Sequence, residues 1–397
     1  MTGRADAPTA RDAATTAHVA GVATLPNGTH DAPERDMATA VLREAVADAG
    51  LPLGDLDGLY MPKPRPWTPQ GFFSTLLAHG LGLDLRESVE VYTGGTSSGH
   101  AFQAAVRDVR AGHVDAAAVL AVERNSTIET DRYLEYILSI FDREFQSPAG
   151  PTIPGVYAMS LQRYLHDHDV DREDVASVVA KNRRNAAENP DALFREPVTV
   201  EEVLDSRAVA DPLRLYECPA PCDGGAALVV TGADLADASD APVRVAGTGY
   251  RHPPSHLLGV RGGSLARFPA VGAAAEAALA DAGRTTADLD VLEPYAPFPH
   301  VEAVITEELG FFERGDGAAA CARGETAVDG AVPVSPSGGC VGRGHPAMVT
   351  PLLNYAAAVA QVRGEAPLQV EDADAVLTTT EHGHVDGVTA TVFGGGA

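Results

Sequence analysis

The chain has 397 residues, 45% apolar and 21% charged, a balance that supports a full buried core and argues against disorder. Its 55 acidic residues outnumber 29 basic ones, leaving a net charge of −26. Such a surface repels phosphate backbones and anionic lipid, which argues against nucleic-acid and membrane partners.

Residues 1–17 lack a continuous apolar stretch and read as a flexible tail rather than a secretory signal. His18 to Pro26, HVAGVATLP, reads as a strand. Ala45 to Leu59, AVADAGLPLGDLDGL, reads as the end of an Ala-rich helix, a Gly stop, an acidic turn and the start of a strand. Val89 to Gly112 follows as strand, Gly-rich turn and Ala-rich helix, and Asp115 to Glu123 as an apolar strand. The stretch from Arg124 to about Tyr216 is richer in charge and aromatics, with Tyr133, Tyr136, Phe141, Phe145, Tyr157 and Tyr164, and reads as a cap over a site. Cys222 to Gly232, CDGGAALVVTG, reads as a returning strand, and Ala233 to Ala241 as a linker.

The same order then recurs. Val243 to Tyr250 is strand-like, and Ala278 to Leu292, ALADAGRTTADLDVL, aligns without a gap on the first copy at an offset of 233. Val332 to Gly364 repeats the strand, Gly-rich turn and small-residue helix, and Asp372 to Glu381 repeats the closing strand. Two copies of a β-α-β-α-β unit result, over 18–232 and 243–397. The helices after the two Gly-rich turns are apolar or small on nearly every face, so they belong inside the molecule, between layers.

Cysteine occurs four times, as Cys218, Cys222, Cys321 and Cys340. That density builds no disulfide scaffold and points to a reducing, cytoplasmic setting. The Cys218–Cys222 pair has no second pair to complete a zinc site, so no metal is expected. No apolar run approaches the ~20 residues of a membrane helix. Only Lys63 and Lys181 are lysines, which leaves Schiff-base chemistry almost no candidates.

Three stretches carry a family likeness: Lys181 to Val230, Glu307 to Gly317 (EELGFFERGDG) and Ser335 to Pro346 (SPSGGCVGRGHP). With the duplication, they resemble the thiolase superfamily, and within it the sterol-carrier and lipid-transfer type of thiolase-like protein. The resemblance implies a five-layered αβαβα fold of two pseudo-symmetric halves, and a homodimer joined through the first half. It also implies an acyl-CoA substrate and no separate cofactor.

The departures from that pattern bear on the chemistry. The first Gly-rich turn reads GGTSSGH, and Thr96 stands where thiolases of this likeness place a nucleophilic cysteine. The C-terminal stretch that carries their second cysteine reads EHGHVDG, Glu381 to Gly387. The polar motif before the LGF segment is replaced by EPYAPFPH, Glu293 to His300. The GHP loop survives, with His345.

A threonine hydroxyl forms an oxygen ester that exchanges poorly with a thiol, so thiolase turnover is not expected. Enolate chemistry needs no such nucleophile. Backbone N–H groups of Gly-rich turns at helix N-termini hold a thioester oxygen whichever way a carbon–carbon bond moves. The expected reaction is retro-aldol cleavage of a 3-hydroxyacyl-CoA, or the reverse addition. Cysteine-free relatives of this type include steroid side-chain aldolases, which work with a small OB-fold/zinc-ribbon partner.

His345 and Tyr295 are the leading catalytic candidates. Tyr295 is the expected proton acceptor, provided an anion pocket lowers its pKa. Thr96 is expected to line the pocket. Gly95, Gly339, Gly344, His300 and His382 are candidate substrate contacts, and His382 or His384 a further acid/base. Arg183, Arg184 and Arg195 are where a basic patch for the CoA phosphates is sought. Cys340 reads as a packing residue.

Three alternatives stand beside this reading: a condensing acyltransferase on a CoA or carrier-protein thioester, a non-catalytic subunit supporting an active partner, and a serine hydrolase. The last rests on Gly95-Thr96-Ser97-Ser98-Gly99, which fits G-x-S-x-G, but the duplication has no place in a hydrolase fold.

Overall fold

In the computed structural model, residues 16–68, 70–257 and 264–394 are described. Residues 1–15, most of the expected tail, lie outside them. The tail boundary at residue 17 is crossed by the first strand, because Ala17 is already paired and fully buried.

The first half runs β1 (Ala17–Gly28), α1 (Glu34–Asp48), β2 (Gly58–Pro62), α2 (Phe73–Leu81), β3 (Glu87–Val91), α3 (Ser97–Arg110) and β4 (Ala116–Glu123). The insert then carries α4 (Thr130–Ser139), α5 (Ile153–His168), α6 (Arg172–Glu188), α7 (Val200–Asp205) and a small hairpin of β5 (Ala208–Ala210) and β6 (Leu213–Arg214). β7 (Asp223–Gly232) closes the half, and α8 (Ala233–Ala236) leads onward. The second half runs β8 (Val243–Arg251), α9 (Pro269–Ala282), β9 (Val291–Pro294), α10 (Pro299–Glu308), α11 (Gly317–Ala322), α12 (Thr350–Arg363), β10 (Ala375–His382) and β11 (Gly387–Gly394).

Strand order shows the pseudo-symmetry. The sheet reads β3-β2-β4-β7-β1-β8-β11-β10-β9, and Val334 adds a parallel bridge beyond β9 at Leu292. Each half therefore has the order 3-2-4-5-1, and the halves meet through β1 and β8 at His18–Arg244 and Val19–Val243. The unit is larger than β-α-β-α-β, because β7 and β11 add a returning antiparallel strand to each copy.

Apolar packing sorts these elements into five layers. α1 and α2 cover one face of the first half through Val41, Leu42, Leu56, Leu59, Phe73 and Leu77. α3 and α12 fill the centre, where Phe102 packs against Tyr355 and Phe393 at ring distances of 4.7 and 5.7 Å. α9 and α10 cover the second half through Val271, Leu279, Val301 and Val304.

Two glycines show why the copies keep the same helix seat. A Cβ on Gly21 in β1 would lie 2.0 Å from the Ala45 carbonyl oxygen, and one on Gly247 in β8 would lie 2.0 Å from that of Ala278. Ala45 and Ala278 are separated by the repeat offset of 233. Only glycine lets each helix press this closely onto its strand.

The halves are also tied together by the insert. On α6, Lys181 donates to Glu302 of α10 at 2.8 Å and to the Val334 carbonyl at 2.6 Å. Asn182 and the Ser335 hydroxyl both donate to the other Glu302 oxygen at 2.8 Å. Ser335, at a φ of +54°, begins the loop that leads to His345.

Candidate active site

A cavity of about 950 Å³ opens between the insert and the edges of both halves. Four segments deliver its polar wall. Tyr92 to Gly95 comes from the turn before α3, Tyr295 from the end of β9, His345 from the GHP loop, and Glu381 to Gly383 from the end of β10. Residues of α4 and α5 in the insert line the other side, with Tyr133, Leu134, Tyr136, Ile137, Ile140 and Tyr157.

Tyr295 and His345 meet directly. The Tyr295 hydroxyl lies 2.7 Å from His345 Nε2. Burial first, then the charges of Arg65 and Arg343, pushes the His345 imidazole down to about 3. It is therefore neutral at ordinary pH. Burial pushes the Tyr295 phenol well above its usual range, and Cys340 and Glu381 add to this more than Arg65 relieves it. The expectation of a lowered tyrosine pKa is thus reversed, because no net anion pocket surrounds the ring. Tyr295 is a neutral phenol hydrogen-bonded to a neutral imidazole.

Glu381 faces the same space, and nothing in the sequence marked it out from its neighbours. Burial raises its carboxyl to about 8, with Asp386 adding to the rise. The Tyr157 hydroxyl at 3.1 Å and the Val385 N–H at 3.3 Å hold it in place. Tyr157 is fixed in turn by stacking on Phe298, 4.4 Å between rings. Close packing joins Glu381 to the Gly-rich turn: a Cβ on Gly95 would lie 2.2 Å from the Glu381 carbonyl oxygen and 3.2 Å from the Tyr295 ring.

Thr96 stands one layer behind this wall. It is fully buried at the N-cap position of α3, with no side-chain capping bond to the helix. Its hydroxyl donates to the Thr93 carbonyl at 2.9 Å and lies 3.0 Å from His382 Nδ1. Gly95 lines the cavity and Thr96 does not, so the expected lining role passes to its neighbour. His382 does line the cavity, and burial with His252 nearby lowers it to about 4.

The other candidates fall elsewhere. His300 is fully buried, 3.2 Å from the Ser160 hydroxyl, and faces the α5–α10 packing rather than the cavity. Gly339 and Gly344 are drawn against α6 and Leu193 by the tight loop and do not line the cavity. His384 is packed between Tyr157 and Phe268 and lowered to about 4 by burial. Arg183 lies over Phe194 at 3.6 Å, and neither it nor exposed Arg184 and Arg195 borders the cavity. Ser97 is fully buried, its hydroxyl spent on the Gly94 carbonyl at 2.6 Å, which removes the hydrolase reading.

Three of the four thiols are quiet. Burial pushes Cys218, Cys222 and Cys340 up to about 12 each. Only Cys218 of the four borders the cavity.

The family models for the thiolase N-terminal domain and the thiolase C-terminal domain-like region match residues 15–241 and 255–395. The chain belongs to the thiolase superfamily. Among thiolase relatives, an acetyl-CoA acetyltransferase of Methanothermobacter thermautotrophicus is 35% identical over 88% of this chain and 91% of the relative. A steroid side-chain-cleaving aldolase of Thermomonospora curvata is 28% identical over 88% of this chain and 90% of its own. The solved structure of an Ltp2-ChsH2(DUF35) aldolase superposes with a TM-score of 0.81 at 26% identity, over 96% of this chain and 97% of that one. Both thiolase and aldolase relatives thus align along nearly the whole chain. Among the described residues, no helix is long and apolar enough to cross a membrane.

Proposed function

We propose that the protein is a carbon–carbon lyase that cleaves a 3-hydroxyacyl-CoA by a retro-aldol step, or runs the reverse addition, without a covalent intermediate. The observation that carries this reading is the 2.7 Å contact between Tyr295 and His345 in the cavity wall, where the position of a thiolate is taken by a hydrogen-bonded threonine. Tyr295 accepts the proton of the substrate's β-hydroxyl while passing its own to His345 Nε2. The positive charge this places on the imidazole is unfavourable beside Arg65 and Arg343, and is offset by the carboxylate that Glu381 leaves as it gives its proton to Cα, so no free phenolate forms. The Cα–Cβ electrons move onto the thioester, whose enolate oxygen is met by the Gly94–Gly95 turn. Glu381, a carboxylic acid below pH about 8, delivers a proton to Cα. No cofactor beyond the CoA thioester is needed.

Several finer features belong to the same reading. The solved neighbour is an aldolase with a DUF35 component, which supports an OB-fold/zinc-ribbon partner here. A homodimer through the first half and a cytoplasmic setting complete it. One second reading has a specific basis: identity to an acetyltransferase favours condensation of acyl-CoA.

The test is to incubate the full chain, with and without such a partner, with 3-hydroxyacyl-CoAs and separately with 3-ketoacyl-CoA plus CoA. Release of a ketone or aldehyde, lowered about 10²–10⁴-fold by Tyr295→Phe, is expected for the lyase. Thiolytic products alone would establish the acyltransferase instead.

A further inference from the structure

Arg65 lies in the segment after β2 and lines the cavity. Its Nε donates to Glu123 at 2.8 Å and its Nη1 to the Tyr136 hydroxyl. The guanidinium carbon lies 5.1 Å from the Tyr136 ring and 5.7 Å from that of Trp67, so α4 and the β2 loop hold it beside two rings. The second Glu123 oxygen accepts from the Met348 N–H at 2.8 Å. Met348 follows Ala347, whose carbonyl lies 3.5 Å from the Tyr295 hydroxyl. One chain of contacts therefore links Arg65 to the segment that carries His345.

Guanidinium has five N–H donors. Protein groups take those on Nε and one on Nη1. Among the described residues Nη2 has no hydrogen-bond partner, and it is not among the polar atoms sealed from solvent without one. With Arg65 in the cavity wall, that nitrogen is left free to meet a bound molecule. Glu123 balances its charge, so a free carboxylate on the substrate gains little there, whereas a neutral oxygen that becomes negative during reaction gains most.

We propose that Arg65 is a catalytic residue whose Nη2 N–H holds the oxygen on the substrate's Cβ. This rests on the lyase reading. In cleavage, that oxygen loses its proton to the Tyr295–His345 pair, gains alkoxide character and becomes the product carbonyl as the Cα–Cβ bond breaks. In addition, the same N–H polarises the incoming ketone or aldehyde. Arg65 forms no bond and gives up no proton. An always-protonated planar group suits this, since it does not compete with Tyr295 for the proton.

Arg65→Met is compared with the double variant Arg65→Met/Glu123→Gln, which leaves no unpaired carboxylate behind. In both, kcat for cleavage is expected to fall about 10²–10³-fold. KM, and the affinity for a plain acyl-CoA lacking the β-oxygen, should move less than threefold, on the order expected when binding is untouched. A double variant with unchanged kcat overturns the proposal. So does an equal loss of plain acyl-CoA binding, which would make Arg65 a binding or folding residue. If the parent protein cleaves no 3-hydroxyacyl-CoA, it is the lyase reading that fails.

Discussion

Glu381 and Tyr295 lie in one wall, and burial drives both toward their protonated forms, with opposite consequences for chemistry. For Tyr295 it makes a lone phenolate unfavourable, which in the proposed cleavage places the proton-accepting task on the pair with His345. For Glu381 it keeps a proton available. In the proposed reaction Glu381 works as an acid below its pKa, so kcat/KM falls as pH rises through about 8. In Glu381→Gln that alkaline fall should vanish and kcat drop about 10²–10⁴-fold; an unchanged alkaline limb would assign the titration to another group. Stability follows the same shift. The folded carboxyl binds more protons than the unfolded one, so this group's contribution declines as pH rises from the ordinary glutamate range to about 8. His345 was singled out as a candidate by its GHP setting and Tyr295 by its place at a strand end, and each lines the cavity. Glu381 was not, because one acid among 55 acquires its character only from what encloses it. Arg65 was hidden for the same reason: its partners lie 58 and 71 residues away.

Among the elements, α6 does more than its place inside an insert suggests. Lys181, Asn182 and Ser335 converge on Glu302, all four buried. This fixes the start of the loop that ends at His345. Removing one member of a buried ion pair leaves the other uncompensated, so Lys181→Met is expected to destabilise the protein by about 3–5 kcal/mol in denaturant unfolding. Lys181→Met combined with Glu302→Gln should cost clearly less. Equal losses would mean that Lys181 acts through packing alone. The duplicated strands and helices could be read from periodicity and Gly stops, since those signals are local. The insert could be recognised as different, but not divided into the α4–α5 wall over the cavity and the α6 anchor behind it. That division depends on which surface each helix meets. The arginines sought as a basic patch on and after α6 stand away from the cavity for the same reason: charge in a sequence does not show which way a side chain faces.

At the scale of the whole molecule, the repeat foretold two halves around buried central helices, and the strand order shows them mirrored across β1 and β8. The cavity wall draws on both halves and on the insert, so no one of them forms it alone.

The quiet thiols have a consequence for where such a protein keeps working. Alkylating agents and peroxide attack thiolates, and thiols raised to about 12 are almost entirely protonated near neutral pH. With threonine in the nucleophile's place, turnover should survive iodoacetamide or hydrogen peroxide treatment that silences a thiolate-dependent thiolase assayed beside it. Activity lost in step with alkylation of one cysteine would show that a thiolate takes part in turnover after all. Oxidative stress would then separate this protein from its thiol-using relatives as sharply as any substrate does.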